Sequence, residues 1–507
     1  SVAIRAEPSR GWIAFSIMLP RIMQGIDTTI ANVALPYIGG NLSASQDQTA
    51  WVLTSYIVAA AIMMPLSGWL AGRFGIKYIY LLSVIGFTFA SALCGSATSL
   101  TELVVYRALQ GICGAGMIPL SQAVLLQTYP VEEHGHAMAI FGMGTIVGPV
   151  TGPVLGGWLT QNYSWRWIFY INLPVGIIAA IGILLFIRDT RRAHREAFDF
   201  FGFIALSIAV GAFQIMLDRG ETKGWFGSTE IWIEAGIAAV AFYLFIVHSL
   251  TMTGASFFNR DLLKSPNYVA GVVVMFFLGG IMNATLALVP TMLQSLMNYP
   301  VLTAGLVTAP RSIGSMIAMF FVARVINRID GRLLILFGLA MTAAAQWQMS
   351  GFSLGMGMEP VIVSGLTQGF GIGCIFVPLN TLALSHLPRH ILTQGTALRS
   401  LVRNVGGSIG IAVFEAQLVQ NTQIVHSRLV QGLRPDNPLA HPPFMPAPYS
   451  LSAPGGIAAL NAEVTRQAAM VAYIDDFKMM MILALCSMVL LLLLRRRRPV
   501  AAAAAAE

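Results

Sequence analysis

Long apolar segments follow one another along this chain with only short polar connectors between them. A helix needs about 20 mostly apolar residues to cross the hydrocarbon core of a bilayer. Fourteen segments meet that requirement, so the sequence predicts an all-α membrane protein with fourteen transmembrane helices. The predicted spans are 11–38, 48–71, 78–98, 102–128, 136–160, 164–187, 200–218, 230–250, 268–297, 302–326, 332–351, 360–386, 394–420 and 474–494.

Composition excludes a water-soluble fold. Apolar residues make up 56% of the 507 residues and charged residues only 10%, against about 25% charged residues in soluble domains.

The net charge of +8 lies in connectors, so we expect no nucleic-acid partner. The four cysteines fall in apolar segments and imply no disulfide. We find neither a nucleotide-binding loop nor a hydrolase motif, and expect no enzyme activity, cofactor or metal site.

The basic residues of the connectors predict the orientation of the chain. The first apolar run leads directly into the multi-span pattern, so we expect no cleaved signal peptide. With fourteen spans, both termini lie on one side, and that side receives eighteen Lys and Arg residues against six on the other. We therefore expect an inner-membrane protein with both termini cytoplasmic. The smaller set is Arg219, Lys223, Arg428, Arg434, Arg466 and Lys478.

A repeat at an offset of 258 residues relates two parts of the chain. Gln110, Gly111, Pro130, Gly148 and Gly152 recur as Gln368, Gly369, Pro388, Gly406 and Gly410. Same-sense duplication of six-helix halves is typical of major facilitator transporters. The sequence thus predicts two six-helix bundles, at 11–187 and 268–494, with two inserted helices and their linkers at 188–267 and a cytoplasmic tail at 495–507.

One connector, residues 421–473, is long and rich in proline. The charge pattern places it outside the cytoplasm, and its polar, proline-broken sequence excludes a further span. Two interpretations stay open, a docking site for a partner protein and a disordered or self-packed loop.

Asp27 is the most informative residue for function, because it lies inside the first predicted span. A carboxylate in hydrocarbon is costly and usually faces a polar cavity or a partner. Removal from water also penalises its charged form, which makes proton uptake and release possible near neutral pH. The alternative is a carboxylate held in a structural ion pair.

Two other charged residues are candidates for proton coupling. Arg107 lies in the fourth span and stays charged, so it can tune a neighbouring acid but not carry the proton itself. A purely structural role, in which it donates to backbone carbonyls, is the alternative. Glu415, in the thirteenth span, is a candidate for a second titrating acid.

Glycines recur every four residues in the fifth span, at Gly144, Gly148, Gly152 and Gly156. This spacing puts them near one helix face, where another backbone can approach closely. Ordinary close packing explains the stripe alone. Together with Pro149, Pro153 and the adjacent Gly157, it predicts a bent helix at a domain interface that gates a rocking motion.

The substrate cavity is not directly visible in the sequence. We predict that Asp27 and its polar neighbours Gln24 and Asn32, together with Tyr56 and Gln122 beside the expected central cavity, contact the substrate.

These motifs resemble those of the fourteen-span drug:proton antiporter branch of the major facilitator superfamily, within it the EmrB type. The similarity runs through nearly all spans. Its residues are Asp27, Thr29, Asn32 and Pro36 in the first span, Arg107, Gln110, Gly111 and Gly114 in the fourth, and the runs 144–157, 165–174, 214–220 and 225–226.

The chain departs from the family pattern in the loop after the second span. Gly68, Leu70, Arg73, Gly75 and Lys77 match, but Gly72 replaces the usual aspartate. In the second half, Asn327 likewise stands where an acid is common. A cytoplasmic charge lock is therefore not expected here, and gating must depend on other contacts.

The resemblance implies a proton-coupled antiporter that exports lipophilic small molecules. It also implies a periplasmic adaptor of the membrane-fusion class and an outer-membrane channel as partners, with 421–473 as the expected contact. An uptake symporter for a small nutrient is the main alternative, although such importers usually lack the glycine-proline motif of the fifth span. A scaffold without transport activity would have no use for Asp27.

Overall fold

The architecture comes from a computed structural model, which describes residues 9–187, 198–252, 260–326, 328–384, 387, 389–432 and 454–493. Within these residues every regular element is helical, as predicted for an all-α membrane protein. The helices are α1 Arg10–Asn41, α2 Gln46–Phe74, α3 Ile76–Ser96, α4 Leu100–Gly114, α5 Met117–Thr128, α6 His134–Asn162, α7 Trp167–Tyr170, α8 Asn172–Phe186, α9 Phe200–Arg219, α10 Thr229–Thr251, α11 Asp261–Lys264, α12 Pro266–Ser295, α13 Val301–Thr308, α14 Pro310–Val325, α15 Gly331–Met349, α16 Glu359–Leu384, α17 Arg389–Gln431 and α18 Pro454–Val489.

Each predicted span coincides with one helix or with two consecutive helices. Among the described residues, nine helical stretches are long and apolar enough to cross a membrane. The spans predicted at 11–38, 136–160, 332–351, 394–420 and 474–494 are helical as well but are not among these nine stretches. The total of fourteen therefore stays a prediction.

Local sequence explains several helix boundaries. Ser45 caps α2 by accepting a hydrogen bond from the Gln48 backbone, while the Gln48 side chain accepts one from the Ser45 backbone. Gly75 ends α2 with φ of 98°, a conformation that favours glycine. Pro310 begins α14 directly after α13, because a proline nitrogen cannot donate the helical hydrogen bond.

The repeat has a structural counterpart in two helix pairs. In the first half α6 packs against α1, and in the second half α17 packs against α12. Gly148 faces the backbone of Gly25, and its repeat partner Gly406 faces the backbone of Phe276. Corresponding glycines thus allow close backbone approach in both halves, as expected for a duplicated bundle.

The two inserted helices lie beside the halves. α10 packs on α9, and α9 packs on α2 and α17. Their flanking connectors, 188–197 and 253–259, lie outside the described residues, as does the predicted tail 495–507.

The connector predicted at 421–473 is shorter than its apolar pattern indicated. α17 continues to Gln431 and α18 begins at Pro454, so only 433–453 lies outside the described residues. The reason is that a fall in apolarity marks the end of a membrane span, not of a helix. No proline interrupts 421–432, and α17 packs against α18, with His426 and Asn461 hydrogen bonded at 3.0 Å.

The halves meet at the end that holds the turn at Gly75. There Gly68 of α2 lies against the backbone of Gln394 in α17. Thr396 Oγ1 donates to the Pro119 carbonyl at 3.2 Å, and Arg399 Nη2 donates to Gln122 Oε1 at 2.7 Å. These contacts join the two bundles at this end. None of them involves position 72, where the family pattern has an aspartate.

The packing of α6 on α1 generates a first prediction. A methyl group on Gly148 would overlap the backbone of Gly25, whereas one on Gly157 would meet nothing within 4 Å. Gly148→Ala should therefore destabilise the protein by about 1–3 kcal/mol through overpacking, and Gly157→Ala should not. Thermal unfolding of the two purified variants measures the difference, and equal midpoints would contradict close α1–α6 packing.

Candidate functional site

Asp27 lies near the middle of α1 and is completely enclosed by protein. Its carboxylate forms an ion pair with Arg107 of α4, with Nη1 at 2.8 Å from Oδ2. The two side chains are 0% and 1% exposed, so solvent does not screen the pair. Such a pair is stable only if its remaining donors and acceptors are also satisfied.

Neutral side chains complete the hydrogen bonding around the pair. Gln110 Nε2 and Asn172 Nδ2 both donate to Asp27 Oδ1 at 2.9 Å. Arg107 also donates to Gln110 Oε1 at 2.7 Å and, through Nε, to the Val52 carbonyl at 3.2 Å. The network therefore ties α1, α2, α4 and α8 together around one carboxylate.

Aromatic rings enclose the guanidinium group of Arg107. Its Cζ lies 4.4 Å from the ring centre of Tyr56 and 5.6 Å from that of Phe169, distances suited to cation–π attraction. Gln24 Nε2 donates to the Gly114 carbonyl at 3.1 Å and lies 3.4 Å from the Tyr56 hydroxyl. Tyr56 and Gln24 are thus neighbours of the Asp27 network.

The geometry around Asp27 bears on both sequence interpretations, a structural ion pair and a proton-coupling acid. Asp27 and Arg107 are paired, as the structural alternative requires. A proton on Asp27 would remove the anion and leave a buried cation without its partner, because arginine keeps its charge. Proton uptake by Asp27 stays a prediction.

The glycine stripe of α6 packs on the helix that carries Asp27. Gly144 faces Met18, Gly152 faces Thr29 and Gly156 faces Ile30, all in α1. Thr29 Oγ1 also donates to the Gly148 carbonyl at 3.3 Å. Gly157 faces open space, and the side chains of Pro149 and Pro153 lie outside the described atoms.

Three predicted site residues, Glu415, Asn32 and Gln122, lie apart from the network. Arg21, which precedes Asp27 by six residues in α1, donates to Thr145 Oγ1 at 3.1 Å. Glu415 is half-buried in α17, and Asn32 is exposed. Gln122 is buried at the contact with Arg399 between the halves.

A cavity of about 160 Å³ lies between α6 and the helices of the second half. Most of its lining is apolar, with Met282, Leu286, Ile372 and Phe376 among its walls. None of the predicted substrate residues Asp27, Gln24, Asn32, Tyr56 and Gln122 belongs to this lining. Substrate contact by those five residues stays a prediction.

Sequence reasoning missed three features of this region. Asn172 was noticed only as part of a motif, although it donates to Asp27. Arg311 and Arg403 lie in predicted spans, but their sequence positions do not predict that they line a cavity. Asp476 of α18 is fully buried and neither of its oxygens has a partner among the described residues; its position inside the last apolar segment was the available signal.

Comparison with known proteins identifies the family. The sequence profile of the Major Facilitator Superfamily matches residues 17–411. The chain belongs to this superfamily. It is 37% identical over 430 residues to the multidrug export protein EmrB of Escherichia coli K12, which covers 84% of each chain. It is 36% identical over 439 residues to the fatty acid resistance protein FarB of Neisseria gonorrhoeae, which covers 85% of each. These relatives confirm the EmrB-type resemblance.

Solved structures show the same fold. The human organic anion transporter MFSD10 superposes with a TM-score of 0.60 at 11% identity, over 94% of this chain and 100% of that one. The proton:xylose symporter XylE superposes with a TM-score of 0.58 at 12% identity, over 93% of this chain and 94% of that one. The chain is therefore a multi-pass membrane transporter of the major facilitator superfamily and not an enzyme.

The Asp27 network generates a second prediction. Asn172→Leu removes a buried donor to a carboxylate, and a hydrogen bond to a charged group contributes about 1.5–3 kcal/mol. We expect a clearly lower thermal midpoint for this variant. Asn32→Leu changes an exposed asparagine of α1 and should leave the midpoint close to wild type. A midpoint unchanged by Asn172→Leu would show that Asn172 does not support the pair.

Proposed function

We propose that this chain is a proton-coupled antiporter that exports lipophilic compounds across the inner membrane. The observation that carries the proposal is the fully enclosed Asp27 carboxylate, bound by Arg107, Gln110 and Asn172. The names of its relatives, for multidrug export and fatty acid resistance, support lipophilic compounds as cargo. The basic connectors support an inner-membrane location with both termini cytoplasmic.

Protonation of Asp27 is the proposed coupling step. The proton binds a carboxylate oxygen and removes the negative charge that faces Arg107. Arg107 then keeps its bonds to Gln110 Oε1 and the Val52 carbonyl but loses its counter-charge, which is costly in a buried site. That cost favours a rearrangement of α4 against α1.

The α1–α6 contact gives this change a route to the second half. α6 packs on α1 through the glycine stripe and also packs on α14 and α16. Phe141 of α6 stacks on Phe376 of α16, with ring centres 6.3 Å apart. A shift of α1 is therefore transmitted by direct packing to the boundary between the halves. The contacts around Gly68 and Arg399 close the end that we expect to face the cytoplasm.

An Asp27→Asn variant tests proton coupling and generates the third prediction. Asparagine keeps the shape of the side chain but cannot exchange a proton. We expect the variant to fold with a lower thermal midpoint, because Arg107 loses its counter-charge. The folded variant should lose efflux of lipophilic dyes driven by a pH gradient and release no protons when dye binds to purified protein. Glu359→Gln, at an exposed acid at the start of α16, is the matched control and should behave like wild type.

The same assay decides between export and uptake. Dye binding to wild type without proton release, or full efflux by Asp27→Asn, would contradict the proposal. Accumulation of dye in proteoliposomes together with protons, instead of exchange, would support the alternative uptake symporter. The glycine stripe of α6 favours export, because it matches the antiporter motif.

We also propose that the chain works with a periplasmic adaptor of the membrane-fusion class and an outer-membrane channel. The supporting observation is the hairpin formed by residues 421–431 of α17 and 454–473 of α18, which extends beyond the predicted spans. Ile424, Leu429, Val430 and Ile457 are exposed on this hairpin. Exposed apolar side chains outside a bilayer are typical of a protein interface.

The hairpin generates the fourth prediction. The triple variant Ile424→Ser, Leu429→Ser and Val430→Ser should reduce co-purification with the adaptor, because binding loses apolar contact area. The control is the double variant Tyr243→Ser and Leu244→Ser. Both side chains are exposed on α10, and this variant should keep adaptor binding. Undiminished co-purification of the triple variant would remove the hairpin from the proposed interface.

A further inference from the structure

One cavity carries half-buried positive charge without a carboxylate in its described lining. Arg311 and Arg403 line the cavity between α6 and the second half, and no carboxylate belongs to its described lining. Arg21 donates to Thr145, a lining residue, without itself lining the cavity. Asp27 is bound to Arg107 and does not belong to the lining.

The cavity arginines have few protein partners for their donors. A guanidinium group carries five N–H donors. Arg311 Nη2 donates to the Met282 carbonyl at 3.0 Å, and Arg403 Nη2 lies 3.4 Å from Asn404 Oδ1. Arg399, one turn before Arg403, uses Nη2 for Gln122, while its Nε and Nη1 are buried without a partner.

Energetics make an anion the complement of this site. A cation partly removed from water is favoured by an anion or other acceptors, and no carboxylate lies in the described lining of this cavity. Arginine also binds carboxylate and similar groups with two parallel hydrogen bonds. The remaining wall is apolar, with Met282, Leu286, Ile372 and Phe376. The site thus combines a place for an anionic headgroup with a surface for an apolar tail.

We infer that this cavity binds amphiphilic monoanions, with the headgroup at Arg311 and Arg403 and the tail along the apolar wall. The inference deepens the proposed function, because it names the class of cargo for the exporter. It rests on that proposal only for the direction of transport, since binding to the cavity is measurable without a proton gradient.

The first test compares headgroups on the unmodified protein. Decanoate, decanol and decyltrimethylammonium share one tail and differ in charge, and calorimetric titration of the protein in nanodiscs near neutral pH gives their affinities. We expect decanoate to bind about tenfold or more tighter than the other two, as charge-assisted hydrogen bonds allow. Equal affinities, or tighter binding of the cation, would overturn the inference whatever any variant does.

The second test assigns the selectivity to the arginines. Arg311→Gln and Arg403→Gln should each weaken decanoate binding by about tenfold and leave decanol nearly unchanged. Arg311→Lys should recover part of the affinity, because it keeps the charge. Arg324→Gln, on the same helix as Arg311 but exposed and packed on the Phe320 ring, is the control. Unchanged decanoate affinity in both cavity variants would place the anion elsewhere.

Failure of this inference is distinct from failure of the proposed function. If Asp27→Asn still exports dye with a pH gradient but decanoate binding depends on Arg311, the anion site stands and proton coupling through Asp27 falls. If Asp27→Asn abolishes efflux but headgroup charge does not affect binding, the reverse holds.

Discussion

The ion pair between Asp27 and Arg107 is the interaction on which the first half depends. Opposite charges enclosed in protein within a membrane are tolerated only when every donor and acceptor is satisfied. Gln110, Asn172 and the Val52 carbonyl meet that demand, and they fix α1, α2, α4 and α8 at one point. The glycine stripe of α6 then packs on the helix that bears the carboxylate. One titratable group is therefore coupled to most of the first bundle by direct contact.

The second half keeps the architecture of this site without its charge. At the repeat offset of 258 residues, Thr285 takes the place of Asp27 and Gly365 that of Arg107. Gln368, the partner of Gln110, donates to Thr285 Oγ1 at 3.0 Å, just as Gln110 donates to Asp27. In the second half, the corresponding contact between α12 and α16 is therefore a hydrogen bond between two neutral side chains. Proton chemistry is thus proposed for one half, while the arginine-lined cavity lies mainly in the other, so proton and cargo need not share a side chain.

The sequence predicted the features that follow from residue periodicity or from the free-energy cost of charge in a membrane. It missed those that depend on contacts between residues far apart in the chain. The glycine spacing predicted that one face of α6 allows close backbone approach, and that face meets α1 of the same half. The offset repeat predicted that the two halves contain corresponding helices. The cost of a carboxylate in hydrocarbon singled out Asp27. Asn172 lies 145 residues from Asp27, and no spacing rule links them. The cavity position of Arg311 and Arg403 depends on how seven helices, α6 and α12 to α17, pack together. The helical ends of 421–473 depend on contact between α17 and α18. None of these is encoded in a local pattern.

Helix α17 connects the proposed anion site to the contacts at the Gly75 end of the bundles. Arg399 holds Gln122 of the first half, and Arg403, four residues later on a neighbouring turn, lines the cavity. An anion bound at Arg403 would reduce the electrostatic repulsion between the positive charges on this helix. It would therefore change the free energy of the contact between Arg399 and Gln122. Gly72, in the last turn of α2, stands where the family pattern has an acid. This end is held by packing at Gly68 and by neutral acceptors for Thr396 and Arg399. The contacts of Thr396 and Arg399 that join the bundles depend on the charge carried by α17. Binding of an anion at Arg403 and opening of this end would therefore both involve α17.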